Sequence, residues 1–257
     1  MLRKTIAGVS ALIMTMGAAM ADDTTLHQDW DALLKTYVVE AEDGVNRFDY
    51  GALKNNAADS AKLDGYLASF ESFDIESLDE NEQFAAWSNI YNALTVKHIV
   101  GKYPTKSIRS GYIVGPWKRV KTVVDGESVS LDDIEHGILR VEFQDPRVHY
   151  AVNCASYGCP NLRPDAWVAE TLDEDLDDAA RDYVNHPRGV TVRSRGGLQV
   201  STIYKWFRED FGGSEQGVID HLLEHADEDL AAEIRANADI KKHDYDWALN
   251  DVESAKR

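Results

Sequence analysis

The segment NEQFAAWSNIYNALTVKHIV, residues 81–100, carries the strongest helical pattern in the chain. Phe84, Trp87, Ile90, Tyr91, Leu94 and His98 recur every three or four positions, the spacing of one helix face. Pro104 closes the segment. Asn89 and Asn92 lie among these apolar residues, and an Asn so placed needs a hydrogen-bond partner. Two destinations stand open for them: a functional centre, or the backbone of a neighbouring loop.

Toward the N-terminus, residues 27–40 (Trp30, Leu33, Leu34, Tyr37, Val38) and 61–73 (Leu63, Tyr66, Leu67, Phe70) repeat the helical spacing. Beyond the central segment, residues 117–124 alternate and are rich in β-branched side chains. Asp125-Gly126 is a hairpin turn, and residues 128–131 return as the partner strand. Ser130, three residues before Asp133, signals a short helix over 131–140. Residues 148–153 are mainly apolar and predict a buried strand, followed by a loop over 155–164 with Gly158 and two prolines. Residues 172–184 are helical in pattern. A second hairpin joins 190–192 to 198–200 across Gly196-Gly197, and 203–211 and 218–236 are again helical before an irregular tail around Tyr245. Helices at both ends with a small, mainly antiparallel sheet between them predict an α+β fold. With no internal repeat, linker or low-complexity segment, residues 22–257 are expected to form a single globular domain.

Residues 1–21 have the grammar of a signal peptide: basic Arg3 and Lys4, an uncharged apolar stretch over 6–20, and the small-x-small site Ala19-Met20-Ala21. A periplasmic or secreted location after cleavage near Ala21 is the expectation. No other apolar run is long enough for a transmembrane segment. The chain has 27 Lys+Arg against 45 Asp+Glu, a net charge of −18. That acidity argues against nucleic acid or anionic lipid as a partner bound by charge, since both need a positive patch.

The segment DPRVHYAVNCASYGCP, residues 145–160, holds both cysteines, Cys154 and Cys159. Cys154 falls where the expected strand meets the loop, a usual place for displayed reactive groups. A thiolate there attacks a carbonyl to form a thioester, given a His base, an orienting group and an oxyanion donor. On a strand, His149 would lie about 15 Å from Cys154 and on the opposite face. His136, on a separate helix, is therefore the preferred base. Glu135 beside it and Asn92 on the long helix are candidate supporting groups, with Asn92 and backbone N–H groups after Cys154 holding the oxyanion. The competing reading pairs Cys154 with Cys159 in a disulfide, as an exported chain permits. No cofactor is implied, and no four-ligand zinc spacing accompanies the two cysteines.

Four ordered segments resemble the domain of unknown function 547 family: FAAWSNIYNALT (84–95), VSLDDIEHGILR (129–140), DPRVHYAVNCAS (145–156) with Cys159-Pro160, and YDWALN (245–250). The resemblance spans roughly residues 48–250. It implies a fold related to papain-like cysteine peptidases in permuted order, with Cys154 as nucleophile, His136 as base and Glu135 in the same constellation. Papain-type enzymes place Cys before His, and permutation would account for the reversed order. The function expected is an exported cysteine-dependent hydrolase or transferase acting on an amide, γ-glutamyl or isopeptide bond of a small peptide-like substrate. The alternative is a non-catalytic cell-envelope binding module carrying a Cys154–Cys159 disulfide.

The first consequence concerns processing. Expressed in a bacterial host, the exported protein should begin at Asp22 by intact mass; an exported chain that keeps Met1–Ala21 would overturn the signal-peptide reading.

Overall fold

The computed structural model describes residues 23–253; the stretch 1–21, expected to be a signal peptide, lies outside them. The fold is α+β. Its axis is the helix Glu80–Lys102, started by a reciprocal capping box in which Glu82 N donates to Asp79 Oδ1 (2.9 Å) and Asp79 N donates to Glu82 Oε2 (2.8 Å). Every residue from Phe84 to Val96 is buried, so the helix is covered on all sides and not along one stripe. Helices Gln28–Tyr37, Tyr50–Asn55 and Ala57–Ala68 pack around it and contribute Trp30, Leu33, Leu34, Leu53, Leu63 and Leu67 to one large core. A second cluster, built on Tyr183, Leu198, Tyr204, Phe211 and Leu222, joins helices Leu172–Val184 and Glu215–His225 to a three-stranded sheet.

A helix buried all round must find partners for its polar residues. Asn89 does so on Trp167, donating to its O (2.8 Å) and accepting from its N (3.0 Å). Asn92 donates to Ala151 O (2.9 Å) and accepts from Asn153 N (2.7 Å). Both side chains thus tie the helix to loop backbone.

The strands are short and distributed over three small sheets. Lys121–Val124 pairs antiparallel with Glu127–Ser130, with Asp125 and Gly126 both at positive φ, as a two-residue primed turn requires. The strand expected from residue 117 begins only at Lys121, because Arg119 N and Val120 N fold back onto Pro116 O in a turn. Ser130 and Asp133 then cap the following helix mutually: Ser130 N and Oγ donate to Asp133 Oδ2, and Asp133 N donates to Ser130 Oγ. That helix, Asp133–Phe143, has π geometry, a widened form often found at functional sites.

The expected strand over 148–153 is instead the short helix Val148–Ala151, with the chain extending only afterwards. Asp145 initiates the turn: its carboxylate accepts from Arg147 N (2.8 Å) and its carbonyl from Val148 N (3.2 Å). All four helical residues are buried, so no alternation distinguishes strand from helix in a run this short. The helical pattern over 218–236 divides into Glu215–His225 and Glu228–Ala236, because Asp227 caps a new start by accepting from Leu230 N. In the pattern over 203–211, only Ile203–Trp206 is α-helical.

The tail that looked irregular includes the strand Ile240–Asp244, which pairs parallel to Leu198–Ser201. Residues beyond it wrap the cysteine loop: Tyr157 N donates to Ala248 O, Gly158 N to Asp246 O, and Asn250 N to Ala155 O. Gly158 is required here, since a Cβ would stand 2.8 Å from Asp246 N. Among the described residues, no helix is long and apolar enough to cross a membrane.

Asn92→Ala leaves the Ala151 carbonyl and the Asn153 N–H without their partner. It should cost about 1–3 kcal/mol, read as a lower midpoint in denaturant unfolding. An unchanged midpoint would contradict this account of Asn92.

Candidate functional site

The cysteine loop forms the floor of a cavity of about 700 Å³. Its walls include Glu135 and His136 from the π-helix, His149 from the short helix, Phe207, and Tyr245 and Trp247 from the tail. Arg109, Lys118 and Arg119 gather on the same cavity although the chain as a whole is strongly acidic.

Cys154 is partly exposed to this space and Cys159 is buried behind it; both are free thiols. The Tyr245 hydroxyl stands 3.1 Å from Cys154 Sγ and 3.0 Å from Cys159 Sγ. Ala155, at φ +58°, turns the loop so that Cys154 N donates to Cys159 Sγ at 3.0 Å. The two thiols therefore differ. Burial pushes the Cys154 thiol well up, and the neighbouring Cys159 adds to the rise. Burial also acts upward on Cys159, but hydrogen bonds from Cys154 and Tyr245 and from the backbone of Cys154 and Ser156 outweigh it and bring Cys159 down. Tyr245 is raised well above its ordinary value by burial and by the two sulfurs, which keeps it a phenol and a donor.

His149 is almost fully buried, and its ring stacks on Phe207 with centroids 4.1 Å apart. Its Nε2 donates to Asp210 Oδ2 at 2.6 Å. Asp210 is held from the other side by Arg140, whose Nε and Nη2 reach its two carboxylate oxygens at 2.5 and 2.8 Å. Burial alone would raise Asp210; the bonds from His149 and Arg140 reverse this and hold it well below the carboxylate range. Burial lowers His149 against the pull of Asp210 and Glu135, so at neutral pH the ring is an uncharged acceptor at Nδ1.

His136 sits at the rim with its side chain 39% exposed; its Nδ1 accepts from Arg140 Nη1 at 3.0 Å. Glu135 is buried and accepts from the Tyr91 hydroxyl at 3.0 Å. Cys154, His136 and Glu135 thus share one cavity. Asn92 lies behind the loop with both ends of its amide engaged by backbone. Of the backbone N–H groups after Cys154 expected to face an oxyanion, Ala155 N is engaged by Asn153 Oδ1 and Tyr157 N by Ala248 O.

Two readings of the sequence change. The separation assigned to His149 and Cys154 rested on a strand that does not form, and both residues line the cavity. The segment 203–211, expected only as a helix, supplies Phe207 and Asp210 to the His149 environment. Asp210 stands 61 residues from its histidine, with no local pattern to mark it.

A family model described as "Protein of unknown function, DUF547" matches residues 75–184, a span that holds the central helix, the π-helix and the cysteine loop. Neither a curated protein nor a solved structure matches the chain.

Alkylation at Cys154, followed against pH by peptide mapping, should rise only above the ordinary thiol pKa of about 8.5. Cys159→Ser removes the neighbour that raises Cys154 and should move the profile to lower pH. A profile that stays in place or moves up would refute the coupling between the two thiols.

Proposed function

Taking the chain as a member of the DUF547 family across residues 75–184, we propose that it is a cysteine-dependent hydrolase or transferase of amide, γ-glutamyl or isopeptide bonds. One observation carries the reading: the Cys154 thiol lines the same cavity as an imidazole, His149, whose Nε2 is held by a carboxylate. Carboxylate, imidazole and nucleophile are the parts such chemistry needs.

Because burial keeps Cys154 protonated at rest, it needs a base at the moment of attack. His149 Nδ1 takes the thiol proton as Sγ bonds to the substrate carbonyl carbon. The tetrahedral intermediate then collapses: the carbon–nitrogen bond breaks, and His149 returns the proton to the departing amine. Water, or a second amine in transfer, adds to the thioester and gives its proton to His149. Cleavage of the carbon–sulfur bond regenerates the thiol. Asp210 holds the ring orientation and stabilises the transient imidazolium, and Arg140 in turn fixes Asp210. The Tyr245 hydroxyl is 3.1 Å from Cys154 Sγ, and a phenol so near the nucleophile suits hydrogen bonding to the oxyanion.

Arg109 and Arg119, beside Trp117, Trp206 and Trp247, favour a peptide-like substrate that bears a free carboxylate, while Lys118 is paired with Asp132. An exported location agrees with a substrate of the cell envelope. His136 is the second candidate base. Its place on the same cavity keeps it in view, but the bonded carboxylate favours His149.

The test uses γ-glutamyl and peptidyl p-nitroanilides, with the acyl-enzyme trapped and mapped by mass. The adduct is expected on Cys154 and absent in Cys154→Ala. His149→Ala should slow acylation by about 10²–10⁴-fold, Asp210→Asn and Tyr245→Phe should slow it less, and His136→Ala should leave most of the rate. Turnover that survives Cys154→Ala would end the proposal, and a loss confined to His136→Ala would move the base there. A native protein two hydrogens light and unreactive until reduced would favour the disulfide-bearing binding module.

A further inference from the structure

Away from the cysteine cavity, the helix Glu215–His225 ends in His221-Leu-Leu-Glu224-His225. Positions i, i+3 and i+4 share one helix face, and a ligand atom from each of the three residues lies within 4.8 Å of the others. The two imidazoles are buried, with ring centroids 4.8 Å apart, whereas Glu224 is exposed. We propose that His221, Glu224 and His225 form a binding site for a divalent transition metal of the zinc class.

Several features fit such an ion. Two imidazoles and one carboxylate are a common three-residue zinc set, with a fourth position left to water. Glu224 is free to swing inward, because its carboxylate is held by no ion pair or hydrogen bond among the described residues. His221 already has the outer partner that ligating histidines usually have: its Nε2 meets the Tyr150 hydroxyl at 2.7 Å, and the Tyr150 ring stacks on it within 4° of parallel. That bond leaves Nδ1 of His221 for the metal. No hydrogen bond engages the ring nitrogens of His225 among the described residues, which leaves them open to a metal.

The surroundings also favour a cation. Arg147, whose charge reaches both rings, is itself tied to Asp145, Asp173 and Asp177. Three carboxylates thus surround one guanidinium next to the two histidines. Tyr150 follows His149 in the short helix, so a metal here would brace the helix that carries the proposed base from its far side. The site itself stands independently of the thiol chemistry.

Calorimetric titration of Zn²⁺ into the chelator-stripped, full-length mature protein tests the proposal, run in parallel on Cys154→Ser/Cys159→Ser so that thiolates cannot supply the signal. One ion per chain is expected in both proteins. Tyr150→Phe, which removes an outer partner, should weaken binding by about 10–100-fold, and His225→Ala should weaken it further. Glu224→Gln lies at the surface and leaves the fold intact, so its loss of affinity decides the matter should His225→Ala fail to fold. Co²⁺ bound in place of Zn²⁺ should show the visible absorption of a low-coordinate nitrogen and oxygen site without thiolate charge transfer. No binding, binding lost with the two cysteines, or affinity unchanged in Glu224→Gln would overturn the assignment.

Discussion

The amide of Asn92 is the contact on which the arrangement around Cys154 depends. It grips the backbone on both sides of Val152, from Ala151 O to Asn153 N. This is the point where the short helix carrying His149 gives way to the loop carrying Cys154. The helix that bears Asn92 is enclosed on every side, so the amide has no water to turn to, and breaking its bonds would leave buried groups unpaired. The need to satisfy one buried polar side chain thereby holds the helix bearing His149 and the loop bearing Cys154 in a fixed relation. Asn153 extends the same logic, accepting from Ala155 N and donating to Pro160 O, which braces the loop from within.

Around this frame the site is assembled from distant parts of the chain. The π-helix brings Glu135 and His136, the segment after the second hairpin brings Asp210, and the C-terminal tail closes the floor with Tyr245. Asp210 and Tyr245 lie outside the 75–184 span matched by the family model. The matched span holds Cys154, His136 and His149, while Asp210 and Tyr245, which hydrogen-bond to His149 and Cys154, come from later in the chain. The close approach of Gly158 to Asp246 shows how tightly the tail is laid against the loop.

Charge is distributed in the same purposeful way. The chain is strongly acidic, yet Arg109, Lys118 and Arg119 line the cavity beside Asp132 and Glu135, and another carboxylate, Asp210, is locked between Arg140 and His149. Burial sets the resting state of the thiols: it keeps Cys154 protonated, while backbone donors favour charge on Cys159. A buried neutral thiol is a poor nucleophile until a base draws off its proton.

The sequence by itself determined the α+β class, the central helix and both hairpins. Each of these is written in local periodicity or turn chemistry, which depends on neighbours a few residues away. It also marked Asn89 and Asn92 as needing partners, without saying which. Tertiary structure alone decided that residues 148–151 coil instead of extending, because full burial erases the alternation that separates the two. It alone paired His149 with Asp210 and laid Tyr245 on the two sulfurs, since hydrogen bonds spanning 61 to 91 residues depend on how elements pack and leave no local pattern. The histidines and glutamate of the helix ending at His225 fall between these cases. The sequence pattern marked only a helix there; the burial of both histidines beside Tyr150, which makes the spacing a candidate for metal, came from the tertiary structure.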